Sequence, residues 1–268
     1  MTQSPVRGHA LVTGASSGIG AAIAREYAAR GVPLVLVARR AERLQALAAE
    51  LSAQVECVVI AADLADPATP ARLVADTQAR GLFISTLVNN AGYGVPGRYL
   101  SADWKTHADF LQVLMTSVAE LTHRYLPAME AAGHGRILNV ASLAGLVPAT
   151  AGHTLYGATK LWLVRFSESL DLEMKKHGVH VTAVCPGMTY TEFHDVNGMR
   201  EKVNQLPKGI WLTSAQVARL AVDAVEAGRP RVVTGRANQL LAALSKYLPD
   251  RLASALISAR SKDFRDAD

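Results

Sequence analysis

The chain has 268 residues, half of them apolar, with 28 basic and 23 acidic side chains, a formal charge of +5 and only two cysteines. That is enough apolar material for one large core, and too few cysteines for a disulfide framework; Cys57 and Cys185 both lie in apolar runs and read as core thiols. The opening residues MTQSPVRGHA lack an apolar signal core and no long uncharged apolar stretch follows, so the expectation is a cytoplasmic protein.

In chain order, the runs ALVTGA, VPLVLVA, VECVVIAA, ISTLVNN, GRILNVAS, VHVTAVCPG and RPRVVTG alternate with amphipathic helical stretches. Strands apolar on both faces belong in parallel sheets covered on each side by helices. The pattern predicts one α/β Rossmann-type doubly wound domain over 1–268. Its mostly parallel sheet has seven strands, a cofactor-binding half about 8–142, a catalytic half about 143–235 and a helical tail 236–268. Ligands of such sheets sit beyond the carboxyl ends of the strands, so the motifs there carry the most information.

The first strand runs into Thr13-Gly14-Ala15-Ser16-Ser17-Gly18-Ile19-Gly20, followed by a helix with Ile19, Ala22, Ile23 and Tyr27 at helical spacing. Glycines allow close backbone approach, and the first N–H groups of a helix favour a phosphate. Taken alone, the loop also suits a turn that merely caps a helix. The second strand ends Val37-Ala38-Arg39-Arg40, with no carboxylate before Glu42. A carboxylate at that strand end would hold a ribose 2′-hydroxyl, whereas guanidinium groups accept a 2′-phosphate, so the pattern predicts NADP as cofactor. Ser17 and Arg43 are further candidates, although a solvated surface charge is the more natural reading of Arg43 than of Arg39. Asp63-Leu64 closes the third strand and Asn89-Asn90-Ala91-Gly92 the fourth.

The fifth strand delivers Ser142, and Tyr156-Gly157-Ala158-Thr159-Lys160 opens a strongly helical stretch that places Tyr156 and Lys160 on one face. A nearby ammonium lowers a phenol's pKa, and a strand-end hydroxyl can hydrogen-bond an oxygen on which charge develops. Singly these patterns are weak. In this order, from the Thr13 loop through VCPG to Thr191, the chain closely resembles the short-chain dehydrogenase/reductase family. Its VARR turn and VCPGxxxTEF segment resemble an NADP-preferring bacterial group.

The resemblance implies an oxidoreductase with Ser142, Tyr156 and Lys160 as catalytic residues. The glycine loop (Gly14, Ser16, Ser17, Gly18, Ile19, Gly20), Arg39, Arg40, Asp63, Leu64, Asn90, Ala91 and Gly92 would bind the cofactor. Pro186, Gly187, Thr189 and Thr191 would lie beside the nicotinamide, and Tyr156 and Lys160 at its ribose. The reaction implied is reversible hydride transfer between the cofactor and a carbonyl or secondary alcohol. One position departs from the family pattern: aligning ELTHRYLPAM places Leu114 where an Asn often supports a water linked to the catalytic Lys. A backbone carbonyl, Thr116 or Ser117 would take over that relay, turnover would be slow, or the chain would serve as an inactive cofactor-binding regulator.

The segment Met188 to Ser214 lacks periodicity and is rich in apolar residues. His153, Met188, Tyr190, Phe193, His194 and Trp211 are therefore candidate contacts to a small, hydrophobic substrate, or residues that pin the loop. No metal site is expected, because neither histidine has partners at ligand spacing. Scattered basic residues exclude a nucleic-acid partner. The amphipathic tail would pack on its own domain or a partner subunit in preference to a membrane, and the expected assembly is a homodimer or homotetramer.

Overall fold

In this computed structural model the structure describes residues 8–152, 154–192, 210–249 and 251–252. Seven strands form one sheet in the order β3-β2-β1-β4-β5-β6-β9, and every neighbouring pair is parallel. They are β1 (His9–Thr13), β2 (Leu34–Ala38), β3 (Cys57–Ala61), β4 (Ile84–Asn89), β5 (Gly135–Val140), β6 (Val179–Cys185) and β9 (Arg231–Val233). The order reverses at β1 and β4, where β3 and β2 lie to one side and β5 and β6 to the other. This is the switch point at which open α/β sheets bind ligands.

Alternating side chains feed two apolar layers. Leu34 and Leu36 of β2 pack with α1 (Gly18–Ala29), α2 (Ala41–Leu51) and α7 (Ser214–Glu226) through Ile23, Tyr27, Leu44 and Val222. Val35 and Val37 point the other way, toward α3 (Thr69–Ala79) and α5 (Ser117–Ala131) through Leu73, Leu121 and Met129. Helix α6 (Thr154–Met174) covers this second face beside β5 and β6. A slip of one residue in β2 would exchange its leucine and valine sides, so the fit of side-chain shapes to each layer holds the register.

Two local features escape the periodicity reading. A π-helical turn, Gln112–Thr116, joins α4 (Trp104–Leu111) to α5, and Leu114 sits in it, buried beside Phe110 and Leu121. A separate parallel pair, β7 (Thr189–Tyr190) with β8 (Leu212–Thr213), closes the chain beyond β6. Within α8 (Arg236–Tyr247) Asn238 is the buried residue, while Leu240, Leu244 and Tyr247 are exposed, which leaves this face open to the partner subunit that the expectation also allowed. Among the described residues no helix is long and apolar enough to cross a membrane.

Candidate active site

The glycine loop follows β1 and is locked to the end of β4. The Thr13 hydroxyl donates to the Val88 carbonyl at 3.1 Å and accepts from the backbone N–H groups of Asn90 and Ala91 at 3.0 and 3.1 Å. The Asn90 amide returns the tie, donating to the carbonyls of Thr13 and Gly14 at 2.9 and 3.2 Å. Gly14 needs its left-handed backbone, φ +66°, and a Cβ at Gly20 would stand 2.4 Å from both the Asn90 amide nitrogen and the Gly14 carbonyl oxygen. Thr13, Asn90 and the two glycines thus form one rigid turn, with the N-terminus of α1 opening above it. That N-terminus suits a pyrophosphate.

Arginines flank the loop. Arg40 donates to the hydroxyls of Ser16 and Ser17 at 3.1 and 2.9 Å. Arg39 is 71% exposed and 3.9 Å from Asp63. Arg43, the further candidate for which a surface charge was the more natural reading, stands beside Arg40, and both reach Glu192. The reason is helical: Arg40 caps α2 and Arg43 lies one turn into it, on the same face. Asp63 caps its own turn by accepting from Ala65 N–H at 3.0 Å, and the Leu64 carbonyl accepts from the Ser117 hydroxyl at 2.9 Å.

The reacting groups converge at the ends of β5 and β6. Ser142 follows β5 in extended conformation, its hydroxyl accepting from Ala144 N–H at 3.1 Å and hydrogen-bonded to the Tyr156 phenol. Lys160 Nζ donates to the Val140 carbonyl at 2.8 Å and stands 5.6 Å from the centre of the Tyr156 ring. Helix α6 carries both residues and is pressed onto the segment after Ser142: a Cβ at Gly145 would lie 2.6 Å from the backbone of Lys160 and Leu161. Deeper, Asn139 of β5 donates to the Ser167 hydroxyl of α6 at 2.9 Å and accepts from Asn89 at 2.9 Å, tying helix to strands.

Electrostatics at this centre differ in one respect from the expectation. Burial pushes the Tyr156 phenol above its ordinary value, and the Ser142 hydrogen bond offsets part of that rise. The ammonium of Lys160 is itself pushed down to about 8 by burial. Cys185 lies near it, but burial holds that thiol up at about 12, so it is neutral at ordinary pH and offers no countercharge. A neutral phenol with a bonded hydroxyl beside it is poised to donate a proton rather than to take one.

Leu114 brings no polar atom to this centre. Thr116 is exposed and Ser117 is committed to Leu64, so the polar group that serves Lys160 is the β5 carbonyl of Val140. Gly92 faces Leu114, with 3.8 Å between an added Cβ and the leucine Cδ1. Beyond β6, the Pro186 carbonyl accepts from Leu143 N–H at 2.9 Å, and Gly187 is packed so tightly on Asn238 that a Cβ would meet its side chain at 2.4 Å. Thr189 donates to the Gly187 carbonyl at 3.1 Å, and Thr191 comes against Gly18.

Of the substrate candidates, Tyr190 and Trp211 stack on each other, ring centres 4.6 Å apart. Tyr190 lines a groove with Gly18, Ala22, Arg25 and Glu26 of α1, away from the cleft at Tyr156. That cleft is walled by Val95, Tyr99, His107, Phe110 and Leu155, contributed largely by the stretch after β4 that periodicity does not single out. Met188 lends its carbonyl to Leu212 N–H at 3.0 Å. His153, Phe193 and His194 lie outside the described residues.

A parallel sheet with a glycine turn at its switch point and Ser142, Tyr156 and Lys160 gathered at the next strand ends is the architecture of a dinucleotide-linked oxidoreductase. The short chain dehydrogenase family model matches residues 8–202, and the chain belongs to that family. It is 38% identical to a sulfoacetaldehyde reductase of Chromohalobacter salexigens over 68% of this chain and 73% of that one. Among solved structures it is similar to a short-chain dehydrogenase from Sphingobium yanoikuyae in complex with NADPH, with TM-score 0.78 and 30% identity over 97% and 98% of the two chains. It is also similar to a 3-oxoacyl-[acyl-carrier protein] reductase with bound NAD from Brucella melitensis, with TM-score 0.73 and 26% identity over 88% and 95%. The chain is an oxidoreductase acting on CH–OH or C=O groups.

Proposed function

We propose that this chain is an NADP-dependent carbonyl reductase or alcohol dehydrogenase for a small, hydrophobic substrate. The observation that carries the chemistry is the buried Lys160, its Nζ 5.6 Å from the centre of the Tyr156 ring and bonded to the Val140 carbonyl at the strand end that delivers Ser142. NADP is favoured over NAD by the donor set at the end of β2, where Arg40, Arg43, Ser16 and Ser17 offer charged and hydroxyl groups to a phosphate. Val95 and Leu155 beside Tyr156 support a substrate with an apolar part, while Arg98, His107 and Thr154 bring polar groups to the same lining.

In this reading the glycine loop and the α1 N-terminus bind the pyrophosphate, while Lys160 orients the ribose hydroxyls. The bound nicotinamide supplies or accepts the hydride. Ser142 donates a hydrogen bond to the substrate oxygen as negative charge grows on it. In the reducing direction Tyr156 gives its proton to that oxygen, and the alkoxide becomes the alcohol; in the oxidising direction the phenolate takes the proton back. The Lys160 ammonium stabilises the phenolate between these two events. Free Cys57 and Cys185 suit a cytoplasmic setting, and the exposed Leu161 and Leu172 of α6 suit a homo-oligomer.

The test is NADPH oxidation across a panel of hydrophobic ketones and aldehydes by wild type and Tyr156→Phe. Turnover is expected to fall by about a hundredfold or more in the variant, while NADPH binding is retained. Tight NADPH binding without turnover on any substrate would point to a regulator instead.

A further inference from the structure

The donor set assigned to the 2′-phosphate already holds an anion of the chain's own. Arg43 Nη1 donates to both oxygens of Glu192 at 2.8 and 2.7 Å, and Arg40 Nη1 to one of them at 3.3 Å, while Arg40 Nη2 keeps the hydroxyls of Ser16 and Ser17. Glu192 comes from the far half of the chain, two residues past Tyr190 of β7 and next to Thr191, which meets Gly18 at the loop. The carboxylate therefore stands where two guanidinium groups and two serines converge.

We propose that Glu192 is an internal stand-in for the 2′-phosphate and sets the enzyme's selectivity between NADP(H) and NAD(H) by competing for Arg40 and Arg43. This rests on the assignment of those arginines to the phosphate. A phosphate of charge near −2 brought against the same guanidinium groups meets a carboxylate within a few ångströms, and like charges at that range repel. Either Glu192 leaves the arginines or it stays and weakens their hold. Both routes lower affinity for the phosphorylated cofactor, and neither touches a cofactor that lacks the phosphate. The carboxyl is held below its usual range chiefly by its hydrogen bond to Arg43, so it is ionised at every pH at which such an enzyme works. Without cofactor, the same contact offsets one of the two neighbouring positive charges and holds both arginines in place.

Isothermal titration of wild type and Glu192→Gln with NADPH, NADH and adenosine 2′,5′-bisphosphate tests this without reference to turnover. Glutamine keeps the size and removes the charge. The Kd for NADPH and for the bisphosphate is expected to fall about three- to tenfold in the variant, with that for NADH unchanged within about twofold. An unchanged or raised Kd for NADPH would overturn the proposal, since Glu192 would then be idle or would position the arginines for the phosphate. A parallel weakening of NADH would overturn it too, marking Glu192 as a ribose contact. The cofactor assignment fails differently: wild type would bind NADH at least as tightly as NADPH, and Arg40→Ala and Arg43→Ala would leave the NADPH Kd unchanged.

Discussion

Lys160 shows what a catalytic position costs its own fold. The side chain is 7% exposed, and its ammonium is pushed from 10.5 down to about 8 by burial, with the Val140 carbonyl as hydrogen-bond partner. In the folded state the group therefore binds its proton less tightly than in the unfolded chain. The unfolded state binds more protons between pH 8 and about 10.5, so stability rises with pH through that window and the burial penalty is fully present below it. Lys160→Met is accordingly expected to stabilise the cofactor-free protein at pH 7 by about 1–2 kcal/mol, after allowing for the carbonyl that loses its partner. Urea midpoints at pH 7 and pH 10 check this: the advantage of the variant should shrink at the higher pH while its turnover stays abolished. Equal midpoints at pH 7 would mean that the ammonium is well solvated through its carbonyl and adjacent water.

At the scale of elements, geometry is set by close backbone approaches. Gly145 is the clearest case, because an added Cβ would meet backbone atoms of Lys160 and Leu161 at 2.6 Å rather than the end of a flexible side chain. Gly145→Ala should push the first turns of α6 away from the Ser142 segment and lengthen the Ser142–Tyr156 contact. Displacements of this size at a reacting centre cost about a hundredfold in rate. The expected result is a kcat lowered by one to two orders of magnitude with the NADPH Kd little changed; unaltered kcat would show that α6 yields without moving Tyr156. The sequence made the glycine loop, Ser142, Tyr156 and Lys160 legible because each depends on short-range spacing at a strand end. It left Gly145 unmarked, since nothing local tells a glycine that a helix will lie on it. Glu192 was hidden for the same reason: its bond to Arg43 joins positions 149 residues apart. The sheet followed from apolar runs, five to seven residues long in every strand but the three-residue β9, whereas two-residue strands such as β7 and β8 carry no such signal, and a π-helical turn around Leu114 differs from α-helix by one residue of hydrogen-bond register.

At the scale of the whole molecule, the surface carries a feature that the interior does not explain. Leu161 and Leu172 of α6 are 44% and 66% exposed, and eleven residues at 100° each return them to nearly the same face, where the ion-paired Arg165 and Glu168 lie between them on the outer side of the helix. Inward, the same helix is fully engaged through Leu163, Val164 and Ser167. Covering both leucines in a symmetric pair would bury four of them, each already part-buried and so contributing only about half of the roughly 1.5–3 kcal/mol of a wholly exposed side chain. Light scattering at micromolar concentration is therefore expected to give at least a dimer for wild type. Leu172→Glu would set two carboxylates against each other in an apolar seam, and the same measurement should then give a monomer. Because these leucines and the Tyr156–Lys160 pair share one helix, loss of a partner covering them should also loosen α6 and lower kcat several-fold, in step with dissociation across a dilution series. A wild type that is monomeric at every concentration, or a variant that stays assembled, would place the subunit contact elsewhere, with the exposed Leu240, Leu244 and Tyr247 of α8 as the next apolar face to test.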